Sequence, residues 1–178
     1  FGIEIGVVRI ANSVPAPQFT VVASPSDFVE QMAEVQSAVS GGGKGESYRA
    51  FWGKYLKSLN ERAPGITKVR TATTASWLTV NYLRKGISIG VNFNNGGLIS
   101  TELYIDLGKR ARNLAVFNAL LEQKDQIEQS LGAELSWEEL PGRRSCRLRV
   151  RREGEVGNVD LQDELVGWMI DNHLKFKE

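Results

Sequence analysis

Six of ten consecutive positions near the end of the sequence are arginine: Arg143, Arg144, Arg147, Arg149, Arg151 and Arg152. In a β-strand alternate residues share a face, so Arg147, Arg149 and Arg151 would project side by side at intervals of about 6.8 Å. The alternate residues Cys146, Leu148 and Val150 would face the core. Guanidinium groups suit phosphate oxygens. The row therefore predicts a surface that can follow a nucleic-acid backbone.

A structural role for the same row is the alternative. Glu134, Glu138 and Glu139 lie on the strand expected to pair with it, and opposite charges across two strands stabilise a solvated sheet face. The formal net charge of the chain is +1, so overall charge favours no particular partner. An electrostatic argument must therefore be local.

A second basic cluster lies at the start of a predicted helix and contains Lys109, Arg110 and Arg112. Positive charge there opposes the helix dipole, which could mark an anion site, although a solvated helix start is the simpler interpretation. The predicted nucleic-acid-binding residues are Arg143, Arg144, Arg147, Arg149, Arg151, Lys109, Arg110 and Arg112.

Candidate catalytic residues do not form a credible set. Asp106 followed by Glu122 and Lys124 has the residue order of metal-dependent nucleases. In a helix, however, Glu122 and Lys124 would lie about 200° apart around the axis, so they could not converge on a metal. His173 is predicted at the surface, and Cys146 as a small buried residue. We therefore predict no catalytic residue, no metal site and no cofactor in this chain.

The elements that must position these residues follow from apolar periodicity. The predicted elements are a helix from Ser47 to Arg62 with an aromatic stripe, strands over 77–80, 87–93 and 98–105, a helix from Arg110 to Leu131, a hairpin of 135–140 and 145–151, and a last helix with Asp160 as N-cap. Hairpins between neighbouring strands favour antiparallel pairing. The order helix, three strands, helix, two strands, helix predicts an α+β fold with helices on one face of the sheet.

The chain begins at Phe1, without Met, inside a sequence that alternates like a strand. We expect it to be a fragment whose upstream part is missing. A second short strand and a helix from Asp27 to Val39 follow, and then the flexible sequence SGGGKG. The predicted organisation is an N-terminal piece of residues 1–39, a linker of residues 40–46, and an α+β module of residues 47–178.

Cysteine content and hydropathy bear on the compartment. The single cysteine cannot form an internal disulfide, which favours the cytoplasm. No apolar run approaches the ~20 residues of a membrane helix, so we expect no membrane partner.

Two stretches resemble a bacterial family catalogued as domain of unknown function 4268. The first is FGIEIGVVRIANSVPAPQFTVVASPSDF, which is similar to the end of the restriction-endonuclease-like domain that precedes this module in the family. The second contains YRAFW, ELYIDL, NLAVFNALLEQKDQIEQSLGAELSWEELP, the arginine hairpin and LVGWMIDNHLKFKE, and resembles the module itself. The resemblance implies that nuclease residues of the PD-(D/E)XK type lie upstream of Phe1, and none of them can be placed on this chain.

Two main functional hypotheses follow, and a third alternative is an enzyme that uses carboxylates such as Glu102, Asp106 and Glu128. In the first, the chain is a non-catalytic module of a DNA-acting nuclease, and the arginine hairpin contacts phosphates. In the second, it is a protein–protein interaction or dimerisation module without a nucleic-acid role. The second hypothesis rests on the aromatic helix from Tyr48 to Leu59, which has more apolar surface than a small sheet is expected to cover.

Overall fold

The structure is a computed structural model that describes the backbone of residues 2–8 and 16–23 and all atoms of residues 43–177. Gly2–Val8 (β1) and Ala16–Ala23 (β2) form an antiparallel hairpin. This hairpin falls in one compact unit of the chain and residues 43–177 fall in another. The predicted helix of residues 27–39 and the first three residues of the predicted linker lie outside the described residues.

Residues 43–177 form an antiparallel five-stranded sheet with α-helices. The elements are α1 (Lys44–Arg62), β3 (Trp77–Arg84), β4 (Ile87–Asn94), β5 (Leu98–Ile105), α2 (Arg110–Leu121), α3 (Lys124–Leu131), β6 (Ser136–Glu138), β7 (Cys146–Glu153), a 3₁₀ turn (Val159–Leu161) and α4 (Gln162–Lys177). The strand order is β3-β4-β5-β7-β6. The predicted α+β class with a mainly antiparallel sheet is confirmed. Within the described residues no helix has the length and apolar character of a membrane span.

Helix α1 begins three residues before the predicted start. Gly43 is its N-cap residue, and the Ser47 hydroxyl donates to the Gly43 carbonyl oxygen at 3.0 Å from inside the first turn. Ser47 therefore lies inside the helix rather than at its start, and residues 44–46 of the predicted linker are helical. The end of the helix is as predicted, since it stops before Pro64 and Gly65.

The aromatic stripe of α1 lies in the core. Phe51, Trp52 and Tyr55 are completely buried, and the Trp52 indole N–H donates to the Ala75 carbonyl oxygen at 2.8 Å. The ring centroid of Phe93 on β4 lies 4.8 Å from that of Phe51. The expectation that this stripe exceeds what the sheet can cover is wrong, because the sheet and α4 together cover it.

A single helix was predicted from Arg110 to Leu131, and the structure divides it into α2 and α3. Glu122 ends α2 and Gln123 precedes α3. Phe117 and Leu131 are buried in the core, and Leu121 is exposed beside the break. A two-residue interruption leaves the apolar periodicity almost unchanged, which is why the pattern alone does not reveal it.

Two predictions about the last helix are wrong. Asp160 does not cap α4 but lies in the preceding 3₁₀ turn. His173 is fully buried rather than exposed, and its Nδ1 atom is 2.8 Å from the Tyr55 hydroxyl. Burial, with a smaller contribution from Lys177, lowers the pKa of His173 to about 4. The histidine is therefore a neutral core residue at physiological pH.

Candidate nucleic-acid interface

The arginine row lies on β7, as predicted. Arg147, Arg149 and Arg151 point away from the helices, whereas the alternate residues Cys146, Leu148 and Val150 are buried in the core. This arrangement follows from the two-residue period of a strand with one face against the core.

The guanidinium groups of the row are already bound to carboxylates. The Nε atoms of Arg147 and Arg149 each lie 2.8 Å from a carboxylate oxygen of Glu138, and Nη2 of Arg151 lies 3.1 Å from the same side chain. Arg147 also reaches Glu102, at 3.5 Å. Glu138 is placed for this role because the register pairs it with Arg147 across β6 and β7.

Burial strengthens this network. The Arg149 side chain is 9% exposed, and its Nη1 donates to Asn94 Oδ1 at 3.0 Å. Burial tends to raise the pKa of Glu138, but the hydrogen bonds and charges of Arg147 and Arg149 outweigh it and hold that pKa below its ordinary value. Burial raises the pKa of Glu102, and the positive charges of Arg147 and Arg149 oppose this increase. The row is therefore an internal ion network, and the premise that these groups project freely does not hold.

A different basic surface lies at one end of the sheet, which we call the basic end. It consists of residues 82–87, 105–113 and 139–145, and hydrogen bonds from the backbone and from the Asn113 side chain hold the three segments together. The Asp106 N–H donates to the Gly86 carbonyl oxygen at 2.7 Å. Asn113 is buried, accepts from the Leu107 N–H at 2.7 Å and donates to the Arg144 carbonyl oxygen at 2.7 Å.

Two ion pairs fix side chains within the basic end. Arg144 contacts Asp106 through two hydrogen bonds of 2.8 Å. Arg110 reaches Glu139 at 3.4 Å and donates to the Arg143 carbonyl oxygen. Burial tends to raise the pKa of Asp106, but the hydrogen bonds from Arg144 and the Gly108 N–H lower it overall. These contacts order the surface around the remaining cations.

Positive charge is in excess at the basic end. Its seven cationic residues are Arg84, Lys85, Lys109, Arg110, Arg112, Arg143 and Arg144, against the two carboxylates Asp106 and Glu139, which gives a local charge of +5. Four of the seven are exposed and make no ion pair within residues 43–177: Arg84, Lys85, Lys109 and Arg112. Beside them Tyr82 is 70% exposed.

The start of α2 adds to this positive potential. Lys109 is the N-cap residue and its side chain makes no capping hydrogen bond, and the first turn contains no acidic residue. The free N–H groups of a helix start have a partial positive charge. The positive potential of the cations therefore adds to that of the helix start, and an anion at this point would be stabilised by both.

The predicted site residues divide into two groups. The structure brings Lys109, Arg110, Arg112, Arg143 and Arg144 together at the basic end, and it places the row on β7 in the ion network. Sequence reasoning missed Tyr82, Arg84 and Lys85. The signal that could have found them is YLRKG, a polar turn with glycine between two strands.

The nuclease-like residues do not converge. Asp106 binds Arg144 at the end of β5, while Glu122 and Lys124 lie at the junction of α2 and α3. Cys146 is buried, and burial raises the pKa of its thiol. Within the described part of the chain, no three side chains of His, Cys, Asp or Glu come together as a metal site.

The family described as a domain of unknown function (DUF4268) matches residues 47–178. The chain belongs to this family. The match begins inside the first turn of α1 and includes every later element, so the basic end and the ion network are both parts of the DUF4268 module. No curated protein and no solved structure matches the chain.

Proposed function

We propose that this chain is a non-catalytic module of a DNA-acting nuclease and that its basic end contacts nucleic-acid phosphates. The observation that carries the proposal is the local charge of +5 on three segments fixed to one another, with four exposed cations that have no carboxylate partner in residues 43–177. A net charge of +1 does not oppose this, because contacts with phosphates depend on local charge.

The chemistry of the basic end suits a phosphate backbone rather than a particular base sequence. Lys85, Lys109 and Arg112 offer charge without a rigid pocket, and phosphate contacts of this kind are independent of sequence. Tyr82 adds an exposed ring on which a base of a single strand could stack. The proposal therefore includes both duplex and single-stranded DNA as ligands.

The association with a nuclease rests on the N-terminal sequence. The segment FGIEIGVVRIANSVPAPQFTVVASPSDF resembles the end of a restriction-endonuclease-like domain. In this proposal the catalytic residues belong to the region upstream of that segment. The DUF4268 module would then hold DNA for a site outside the present chain.

Fluorescence anisotropy with labelled duplex and single-stranded DNA at low salt tests the proposal. We expect the double variant Lys85→Ala, Lys109→Ala to bind roughly tenfold more weakly, with the slope of log affinity against log salt reduced by about two. The matched control is Lys57→Ala, Lys68→Ala, which removes two exposed lysines outside the basic end and should change little.

The row on β7 provides a second comparison in the same experiment. Arg151 is bound by Ser136 and Glu138, so Arg151→Ala should leave the affinity within about twofold of the wild type, whereas Arg112→Ala should lower it. Wild-type protein that does not bind DNA, or equal losses in the basic-end variant and its lysine control, would refute the proposal.

A protein-binding module without a nucleic-acid role is the second candidate function. The aromatic helix no longer supports it, because that helix is buried. What favours it now is the exposure of Tyr82 and Leu83 beside the cations of the basic end. Since an acidic protein surface could bind there as well as a phosphate backbone, the absence of DNA binding would favour this candidate.

A further inference from the structure

The end of the sheet opposite the basic end has the opposite charge. We call residues 153–164 the acidic end, which contains the five acidic residues Glu153, Glu155, Asp160, Asp163 and Glu164 and no basic residue. Strand β7 begins with Cys146 at the basic end and reaches the acidic end at Glu153. Eight residues of strand separate the two ends by about 26 Å.

Three of these carboxylates are available to a partner. Asp163 and Glu164 form ion pairs with Lys54 and Arg152. The other three acidic residues are exposed and make no ion pair within residues 43–177: Glu153, Glu155 and Asp160. The acidic end therefore has unpaired negative charge, as the basic end has unpaired positive charge. Lys44, which lines the same surface pocket as Glu155, offsets one of these negative charges.

Exposed apolar side chains accompany the charges at both ends. Tyr82 and Leu83 lie at the basic end, with exposures of 70% and 43%, and Val159 and Leu161 lie at the acidic end, with exposures of 73% and 39%. Each pair is next to unpaired charges in sequence, and the charges of the two ends have opposite signs. The two ends thus have the composition of the two sides of one interface, in which apolar contact and opposite charge combine.

We propose that copies of this chain associate head to tail, with the acidic end of one copy against the basic end of the next. The partner is a second copy because it supplies both the charge and the apolar pair that each end requires. Contact between two basic ends or two acidic ends would bring like charges together. Because the two ends lie at opposite ends of β7, the proposed contact joins two different surfaces and is heterologous. We expect successive copies to form open chains, as heterologous contacts do when their rotation does not close a ring.

This association is weak and depends on salt. Two apolar side chains on each side bury far less surface than a standard interface, so a dissociation constant on the order of 10–100 µM is expected. The attraction between exposed charges is screened at high ionic strength. DNA and the acidic end of another copy would compete for the basic end, but the self-association does not require that DNA binds.

Sedimentation velocity tests this inference. The 178-residue chain is measured over a range of concentrations at low and at high salt. The basic-end variant is Tyr82→Ser, Lys85→Ser, and the acidic-end variant is Val159→Ser, Asp160→Ser. Each removes one exposed apolar side chain and one adjacent charge. The matched control, Leu121→Ser, Lys57→Ser, makes the same kind of change at sites outside both ends.

We expect wild-type protein and the control to form larger species as concentration rises at low salt, and each end variant to associate at least about fivefold more weakly. A mixture of the two end variants should form 1:1 dimers and no longer chains, since each retains one intact end. Monomeric wild type at the highest concentration, an end variant that associates like the control, or a mixture without dimers would overturn the inference.

DNA binding separates this inference from the proposed function. At about 150 mM salt, the acidic-end variant should keep wild-type affinity for DNA at concentrations where the protein is monomeric. Self-association without DNA binding would refute the proposed function alone, and DNA binding by a strict monomer would refute the self-association alone.

Discussion

At the scale of single residues, Glu138 determines what the arginine row can do. Its carboxylate binds three guanidinium groups, one of them on a side chain only 9% exposed. Arginines that are buried and paired in this way have lost much of their capacity to bind an external anion, because such binding would first break their existing bonds. Local pairing, rather than the number of arginines, decides which cations are available.

Replacing Glu138 should reveal this structural role. Glu138→Gln leaves a largely buried arginine without its charged partner, so we expect the free energy of unfolding to fall by about 2 kcal/mol. Chemical denaturation at neutral pH measures the change. Glu139→Gln is the control, since Glu139 forms one exposed pair with Arg110, and it should cost about 0.5 kcal/mol or less. Equal effects of the two substitutions would contradict a central role for Glu138.

His173 predicts the behaviour of the fold in acid. Its pKa is about 4 in the folded chain against an ordinary value of 6.5, so below pH 6.5 the unfolded chain takes up a proton that the folded chain does not. Its contribution to stability is therefore complete above pH 6.5 and decreases as the pH falls towards 4, by about 3 kcal/mol in total.

Denaturation of the wild type and of the variant His173→Gln is measured at a series of pH values. The difference between the two proteins isolates this contribution from those of the carboxyl groups. We expect the wild type to lose stability more steeply than the variant between pH 6.5 and 4 and in parallel with it below that range. Identical slopes throughout would mean that the buried imidazole titrates as it does in the unfolded chain.

At the scale of elements, the turn between β3 and β4 holds the basic end together. Gly86 has φ +81°, and a Cβ there would lie 2.6 Å from the Asp106 carbonyl oxygen. Gly86→Ala therefore adds a backbone clash to the strain of a positive φ. Gly96 has φ +78° and no atom within 4 Å of the same position, so Gly96→Ala has the strain alone.

We expect Gly96→Ala to lower the free energy of unfolding by about 1 kcal/mol and Gly86→Ala by about 1–3 kcal/mol more. Thermal and chemical denaturation measure both. Because the turn contacts the segment before Lys109, Gly86→Ala should also weaken DNA binding in protein that remains folded. Equal destabilisation by the two alanines would show that the turn can move away from Asp106 without a cost in stability.

The sequence predicted most of the elements because strands and amphipathic helices have characteristic periods. The alternation in β5, from Leu98 to Ile105, set its bounds correctly, and the predicted orientation of the arginines on β7 is also correct. What the sequence could not supply is the register of the three-residue strand β6. The sequence named Glu138 as one of three candidate partners for the row. A shift of one residue would turn Glu138 to the other face, so the choice among the three depends on a register that no local pattern specifies.

The sequence predicted only part of the basic end, because the proximity of its residues also depends on contacts between distant segments. Lys109 and Arg143 stood out as members of basic clusters, but their proximity depends on a hydrogen bond network through Asn113 between segments about 30 residues apart in sequence. Arg84 and Lys85 are a single basic pair in a turn and were not conspicuous. Their importance arises from the strand order, which brings that turn against the end of β5.

At the scale of the whole molecule, the ends of the sheet have opposite charge although the chain is nearly neutral. If DNA binding depends on the basic end, then charge about 26 Å away should matter little at physiological salt, where the Debye length is about 8 Å. In the monomer, the acidic end then affects DNA binding through the long-range field alone, and only at low ionic strength.

Charge reversal at the acidic end tests this separation. Glu155→Lys, Asp160→Lys changes two charges from −1 to +1, which takes the net charge from +1 to +5. At about 150 mM salt we expect DNA affinity to rise less than about twofold, and at about 10 mM salt, where the Debye length is about 30 Å, by several-fold. Anisotropy at low protein concentration measures both. A large increase at the higher salt would mean that total charge, and not the geometry of the basic end, governs binding.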